Sequence, residues 1–261
     1  MGALIVIAGG GTGGHVFPGL AIAQEMARRD PSREILFLGS TSGLETRLVP
    51  QAGFALKTLA LGGIAGRSFP QRVVASMRAC AAVARCVAMF VRRRPAVVVG
   101  VGGFVSGPAV LAALLLRVPT MIQEQNAVPG LTNRWLGRWV KRIALSFPGS
   151  EAAFGGRGVR AAQPRVVVTG NPVRAAFFQV APWTGPRGRL RLLIFGGSRG
   201  ARSLNRAALA ALPSLSDAKD RLAIVHQTGE ADFPEAQKAY AASGFEEARA
   251  IAFIDDMPAR L

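Results

Sequence analysis

Histidine occurs only twice in the 261 residues, at positions 15 and 226, and the first stands inside GGGTGGHVFPG, where six glycines fall between residues 9 and 19. Glycine lets the backbone approach a ligand closely, and a helix that follows offers free N–H groups and a positive dipole end to an anion. An imidazolium is disfavoured in that field, so His15 stays neutral and usable as a base near pH 7. A histidine that merely caps the loop is the structural alternative. A second glycine cluster, GGSRGARS at 196–203, sets Ser198 and its neighbouring amides at another expected helix start, a reasonable cradle for a diphosphate. Arg199 and Arg202 either add charge there or face solvent. Three more stretches are polar beyond the needs of a core: GGFVSGP at 102–108, QEQNAVPGLTNRW at 123–135 with Glu124, Gln125 and Asn126, and GNPVR at 170–174 with Arg174. Helix capping is the rival explanation for Asn126 and Asn133.

Several chemistries drop out. Gly9, Gly11 and Gly14 satisfy the dinucleotide spacing G-x-G-x-x-G, but FLGS puts no acid at the end of the second strand to meet a ribose. No Lys-Ser/Thr pair follows the glycines, so a P-loop fails as well. Cys80 and Cys86, six apart in one expected helix, suit neither a disulfide framework nor a metal site and read as small buried hydrophobes. The net charge of +17 favours an anionic partner, and residues 1–150 hold 17 Lys/Arg against 5 Asp/Glu. Nucleic acid is a poor match, because one Tyr and Trp135, Trp139 and Trp183 supply no stacking platform among the basic residues. No secretory signal pattern opens the chain. Residues 96–116 carry no charge. Their length could span a bilayer, but Gly102-Gly103 and Gly107-Pro108 break the run into a buried strand, a loop and a helix.

The elements that must position these residues follow from periodicity. Strand 3–8 is expected to lead through the glycine loop into a helix from about Phe17 to Arg29. Strands at 34–38, 96–100, 118–123 and 142–147, with helices near 43–50 and 71–94, predict a parallel sheet covered on both faces. The helix at 71–94 carries Arg78, Arg85 and Arg92 on one face amid Val73, Val74, Met77, Val87 and Val91, with Arg67 just before it. That pattern fits either a solvated face or a peripheral contact with an anionic membrane. A Gly/Pro-rich stretch with one strand at 165–169 leads to a second strand–glycine turn–helix unit, with further strands at 222–227 and 250–255. Two α/β domains result, with ligands expected in a cleft at the strand ends.

With these pieces in order along the chain, GGGTGGHVFPGLA, GGFVSGP, QEQNAVPGLTNRW, FPG, GNPVR, GGSRGAR and FIDDM, the sequence resembles the MurG family of peptidoglycan glycosyltransferases, GT-B family 28. The resemblance covers essentially the whole chain. It implies a GT-B α/β fold: an acceptor- and membrane-binding Rossmann-like domain at 1–170, a linker at 171–189, and the first part of a UDP-sugar domain at 190–261. The implied reaction is inverting transfer of N-acetylglucosamine from UDP-GlcNAc to the C4 hydroxyl of MurNAc in lipid I, with no cofactor and no catalytic metal. His15 matches the favoured general base, and Glu124 is an alternative base or a partner orienting the acceptor. Thr12, Gly13 and Gly14 match donor-binding positions, Asn126 a sugar contact, Arg174 and Ser198 diphosphate-side contacts, and Ile254 the residue beside uracil. The implied location is the cytoplasmic face of the plasma (inner) membrane, held peripherally, with lipid I, anionic lipid and cell-wall or division proteins as partners and no nucleic acid.

Some positions depart from the family. Gln123 stands where histidine is common, Phe104 where tyrosine is common, and Arg199 where glutamine is usual. The family also continues past FIDDM, so this chain is expected to turn over lipid I poorly and to leave the first strand of its second sheet with an open edge. A GT-B transferase with another acceptor and an inactive cell-wall scaffold are the alternative functions.

Overall fold

The computed structural model describes residues 2–61, 69–155, 165–182 and 188–261. Arg67, the glycine-rich 156–160 stretch and Trp183 lie outside the described residues. Two compact units emerge, Met1–Arg174 and Ala175–Leu261.

The first unit alternates strands and helices: β1 (Leu4–Gly9), α1 (Gly13–Arg29), β2 (Glu34–Ser40), α2 (Glu45–Gln51), β3 (Ala55–Leu59), α3 (Phe69–Arg92), β4 (Val97–Gly102), α4 (Ser106–Leu115), β5 (Thr120–Glu124), α5 (Leu131–Leu136), β6 (Arg142–Leu145) and β7 (Val166–Val168). All seven strands are parallel, in the order β3-β2-β1-β4-β5-β6-β7. Every residue of β1 is buried, as expected for a central strand covered on both faces. The two-residue period sorts its side chains: Ile5 and Ile7 pack with Val16, Leu20 and Val49, while Leu4, Val6 and Ala8 pack with Cys86, Phe90, Ala109 and Leu136. β1 and β4 are neighbours although five elements of chain separate them. The strand order reverses there, and ligands of such sheets bind beyond the strand ends at that point.

Residues 96–116 resolve into β4 and α4, in agreement with the broken-run reading. α3 is the one helix among the described residues long and apolar enough to cross a membrane. It nevertheless buries Ala75, Ala82, Cys86 and Phe90 and exposes Met77, Arg78, Arg85, Val91 and Arg92. A helix with one face in a protein core and an arginine row on the other lies on a surface. Cys80 is exposed, contrary to expectation, whereas Cys86 is buried and its thiol is pushed up to about 11 by desolvation. Position 80 falls between the buried positions 75, 82 and 86 of the helical repeat.

The second unit contains β8 (Leu190–Phe195), α6 (Arg202–Ala211), β9 (Leu222–Gln227), α7 (Phe233–Ala242) and β10 (Ala248–Ile251). Its parallel sheet runs β10-β9-β8 over a core of Leu212, Ile224, Tyr240 and Phe245. β8 pairs with β9 on one side, and its Leu190, Leu192 and Phe195 are exposed. Arg189, at the entry to β8, pairs with Glu246 and Glu247. β10 ends at Ile251, earlier than the expected 255, so Ile254 follows the strand instead of lying in it.

Candidate active site

His15 lies within α1 and not in a loop ahead of it. The helix starts at Gly13, four residues before the expected Phe17, with Thr12 as an extended N-cap residue (φ −126°, ψ 159°). The backbone N–H groups of His15 and Val16 both donate to the Thr12 carbonyl, each at 3.1 Å. The Thr12 hydroxyl makes no cap bond to the backbone; Oγ1 stands 3.3 Å from His15 Nδ1 and orients the ring. Glycine at 13 and 14 gives up helix propensity for a main chain without side chains in the turn that carries the imidazole.

The other wall of the ring's seat is β4. A Cβ on Gly102 would come within 2.5 Å of His15 Cδ2 and 2.7 Å of Nε2, and one on Gly103 within 2.6 Å of the Gly10 carbonyl oxygen. Both glycines have positive φ, +96° and +79°, which L side chains rarely adopt. GGFVSGP thus supplies a flat support for the imidazole. Burial lowers the His15 pKa below its ordinary value, and three weaker effects oppose that shift: the Glu124 carboxylate, a backbone hydrogen bond at Gly10, and Glu45. The neutral ring is favoured, in surroundings that still attract its protonated form.

Glu45 was not apparent as a site residue from sequence. It is 1% exposed, accepts the Gly11 N–H at 2.8 Å on Oε2, and accepts the Ser40 N–H and hydroxyl at 2.7 and 2.6 Å on Oε1. The acid missing from the end of β2 is therefore supplied five residues beyond Ser40, and it is spent bracing the first glycine turn.

Glu124 is equally enclosed, at 1% exposure. Oε1 accepts the Asn126 N–H and Nδ2, both at 2.9 Å; Oε2 accepts the Gly130 N–H at 3.1 Å and Asn133 Nδ2 at 2.9 Å. Four donors fill the four acceptor positions of a carboxylate, leaving none to take a substrate proton. That arrangement favours the orienting alternative for Glu124 over the base: the residue folds the 125–133 loop and holds the exposed Asn126. Gln123 persists as a hydrogen-bonding residue, with Nε2 donating to Ser146 Oγ at 3.0 Å and Oε1 accepting from Gln125 Nε2. Ser146 passes the chain of bonds on to Asn171 at 3.3 Å. Arg174, the last residue of this unit, stacks its guanidinium 4.5 Å from the centroid of Phe17 on α1, two residues beyond His15.

In the second unit, Ser198 sits in the turn closed by Gly200 N–H to the Gly197 carbonyl at 3.0 Å. α6 begins four residues later, at Arg202, so Ser198 precedes the helix end and does not form part of it. Ile254 is buried, and its backbone N–H donates to Gln227 Oε1 at 3.1 Å.

Two successive Rossmann-like units, each with a glycine turn after its first strand, make up the GT-B class of fold. Family models agree: the glycosyltransferase family 28 N-terminal domain matches residues 5–145 and the family 28 C-terminal domain matches 191–261. Among curated relatives, the UDP-N-acetylglucosamine–N-acetylmuramyl-(pentapeptide) pyrophosphoryl-undecaprenol N-acetylglucosamine transferase of Syntrophus aciditrophicus is 46% identical, covering 98% of this chain and 69% of its own. The Myxococcus xanthus protein of the same name is 42% identical over 97% of this chain and 64% of its own. The crystal structure of Acinetobacter baumannii MurG superposes with a TM-score of 0.63 at 28% identity, over 100% of this chain and 69% of that one. UDP-GlcNAc 2-epimerase from Neisseria meningitidis shares the fold, with a TM-score of 0.61 at 12% identity, over 100% of this chain and 74% of that one. The chain belongs to glycosyltransferase family 28, and it spans about two thirds of the length of the curated relatives it matches.

Proposed function

We propose that this chain carries the acceptor-side machinery and part of the donor site of an inverting N-acetylglucosaminyltransferase. The reaction moves N-acetylglucosamine from UDP-GlcNAc to the C4 hydroxyl of MurNAc in lipid I, giving lipid II and UDP. The observation that carries this reading is the seating of His15: fixed by Thr12, supported on Gly102, and held neutral by burial. His15 accepts the hydroxyl proton as the C4 oxygen attacks the anomeric carbon. The bond to UDP breaks with its electron pair leaving on the diphosphate, so configuration inverts and a β-1,4 link forms. The buried carboxylates of Glu124 and Glu45 then favour the imidazolium that results.

Thr12, Gly13 and Gly14 shape the sugar end, and Asn126 contacts the sugar under the direction of Glu124. Arg174 and Ser198 stabilise the departing diphosphate, and Ile254 lies beside the uracil. Residues 1–170 serve the acceptor and membrane, 171–189 link, and 190–261 hold the UDP-sugar. α3 rests on the anionic cytoplasmic membrane surface: Arg78 and Arg85 line a shallow groove with Leu59, Ala60, Ala81 and Ala82, beside exposed Val74 and Met77.

Substituting His15→Gln tests the proposal. UDP-GlcNAc affinity is expected to stay within twofold, while single-turnover UDP release with lipid I falls by about tenfold or more, the low end of a general-base contribution. Unchanged turnover removes His15 from the chemistry.

A further inference from the structure

Gln227 closes β9, the middle strand of the second sheet, and is 2% exposed. Its Nε2 donates to the Gly197 carbonyl at 2.7 Å, in the turn that follows β8. Its Oε1 accepts the Ile254 N–H at 3.1 Å, in the segment that follows β10. One side chain from the central strand thus ties the loops leaving both flanking strands. A planar amide is suited to this task because it offers a donor and an acceptor on one rigid group; a carboxylate offers only acceptors and a thioether neither in strength.

The surroundings hold that bridge still. A Cβ on Gly200 would lie 1.8 Å from the Thr228 carbonyl oxygen, and one on Gly229 would lie 2.0 Å from that of Arg199. The two main chains are pressed together with no room for side chains. His226, one residue before Gln227 and fully buried, bonds Tyr240 Oη through Nδ1 at 3.0 Å and Asn205 Oδ1 through Nε2 at 3.1 Å. Asn205 Nδ2 in turn donates to the Thr228 carbonyl at 2.8 Å and to Asp232 Oδ2 at 2.7 Å. Because the Asn205 amide oxygen must accept, His226 carries its proton on Nε2 and receives the Tyr240 hydroxyl proton on Nδ1. Every partner is satisfied with a neutral ring.

We infer that Gln227 is a positioning residue that fixes the spacing between the Ser198 turn and Ile254, so that the second unit selects a nucleoside diphosphate as a single rigid fit. This rests on the donor-site reading given above for Ser198 and Ile254. Gln227 itself touches no substrate; it acts through the two loops.

The test is calorimetric or NMR titration of the whole chain and its Gln227→Met and Gln227→Glu variants with UDP, uridine and pyrophosphate. Losing both bonds is expected to weaken UDP about tenfold. Uridine and pyrophosphate, which each engage one loop, should change less than twofold. Gln227→Glu keeps the bond to Ile254 and loses the one to Gly197, and is expected to weaken UDP as well. UDP affinity unchanged in Gln227→Met, or all three ligands weakened together as by local collapse, overturns the inference. Amide hydrogen exchange without ligand provides the second measurement. Faster exchange in Gln227→Met at both Gly197–Gly200 and Ile254 supports the coupling, and unchanged exchange at both refutes it. If the unsubstituted chain binds none of the three ligands, the donor reading falls and the exchange result alone decides the coupling.

Discussion

Replacing Gly102 by alanine perturbs His15 without touching it in sequence. The added methyl would stand 2.5 Å from His15 Cδ2, whereas ordinary contact begins at 3.4 Å, so the ring must retreat by about 0.9 Å. Alanine at φ +96° adds backbone strain of about 1 kcal/mol, and forcing a group into a filled site adds about 1–3 kcal/mol. At roughly 2–4 °C per kcal/mol for a unit of this size, the first unfolding transition should fall by about 5–15 °C. A ring pushed outward regains water, so its pKa should climb from the lowered value back toward 6.5. The sign follows for stability. With the folded-state pKa depressed, the unfolded chain binds the proton first as pH falls below 6.5, so stability rises with pH across that interval and levels above it. Gly102→Ala should flatten that slope. Imidazole resonances followed by two-dimensional NMR across pH 5–8, with thermal melts at the same pH values, report both effects. A substituted protein whose His15 titrates unchanged would refute the seating of the ring on β4.

Two further outcomes separate structural from chemical roles. Glu124→Gln puts an amide N–H₂ against donors from Asn126, Gly130 or Asn133, and is expected to cost about 1–3 kcal/mol in denaturant melts; lost turnover with undiminished stability would return the proton-transfer role to Glu124. Burial depresses the His226 pKa, so the second unit should lose stability as pH drops below 6.5, and His226→Phe should abolish that slope in pH-dependent melts whatever its overall cost.

Strand positions were legible in the sequence because unalternated apolar runs such as LIVIAG can be satisfied only between two helical layers. The start of α1 was not, since glycines at 13 and 14 look like loop; the signal was Thr12, an N-cap type three residues before His15. Glu124 was visible as a candidate, but its role depends on Gly130 and Asn133, six and nine residues away along the chain. Glu45 and Gln227 were invisible as site residues because the bonds that tie them to the glycine turns and to Ile254 reach backbone atoms 34, 30 and 27 residues distant, which carry no sequence mark. Ile254 falls outside β10 because a side chain, not a ladder partner, takes up its N–H.

The chain contains just two imidazoles, and one is sealed between a phenol and an amide. While the second unit stays folded, the half-covered ring on α1 is the imidazole left open to exchange a proton with a ligand. Whatever anion this strongly basic molecule meets, one open nitrogen heterocycle meets it there amid fixed guanidinium charge.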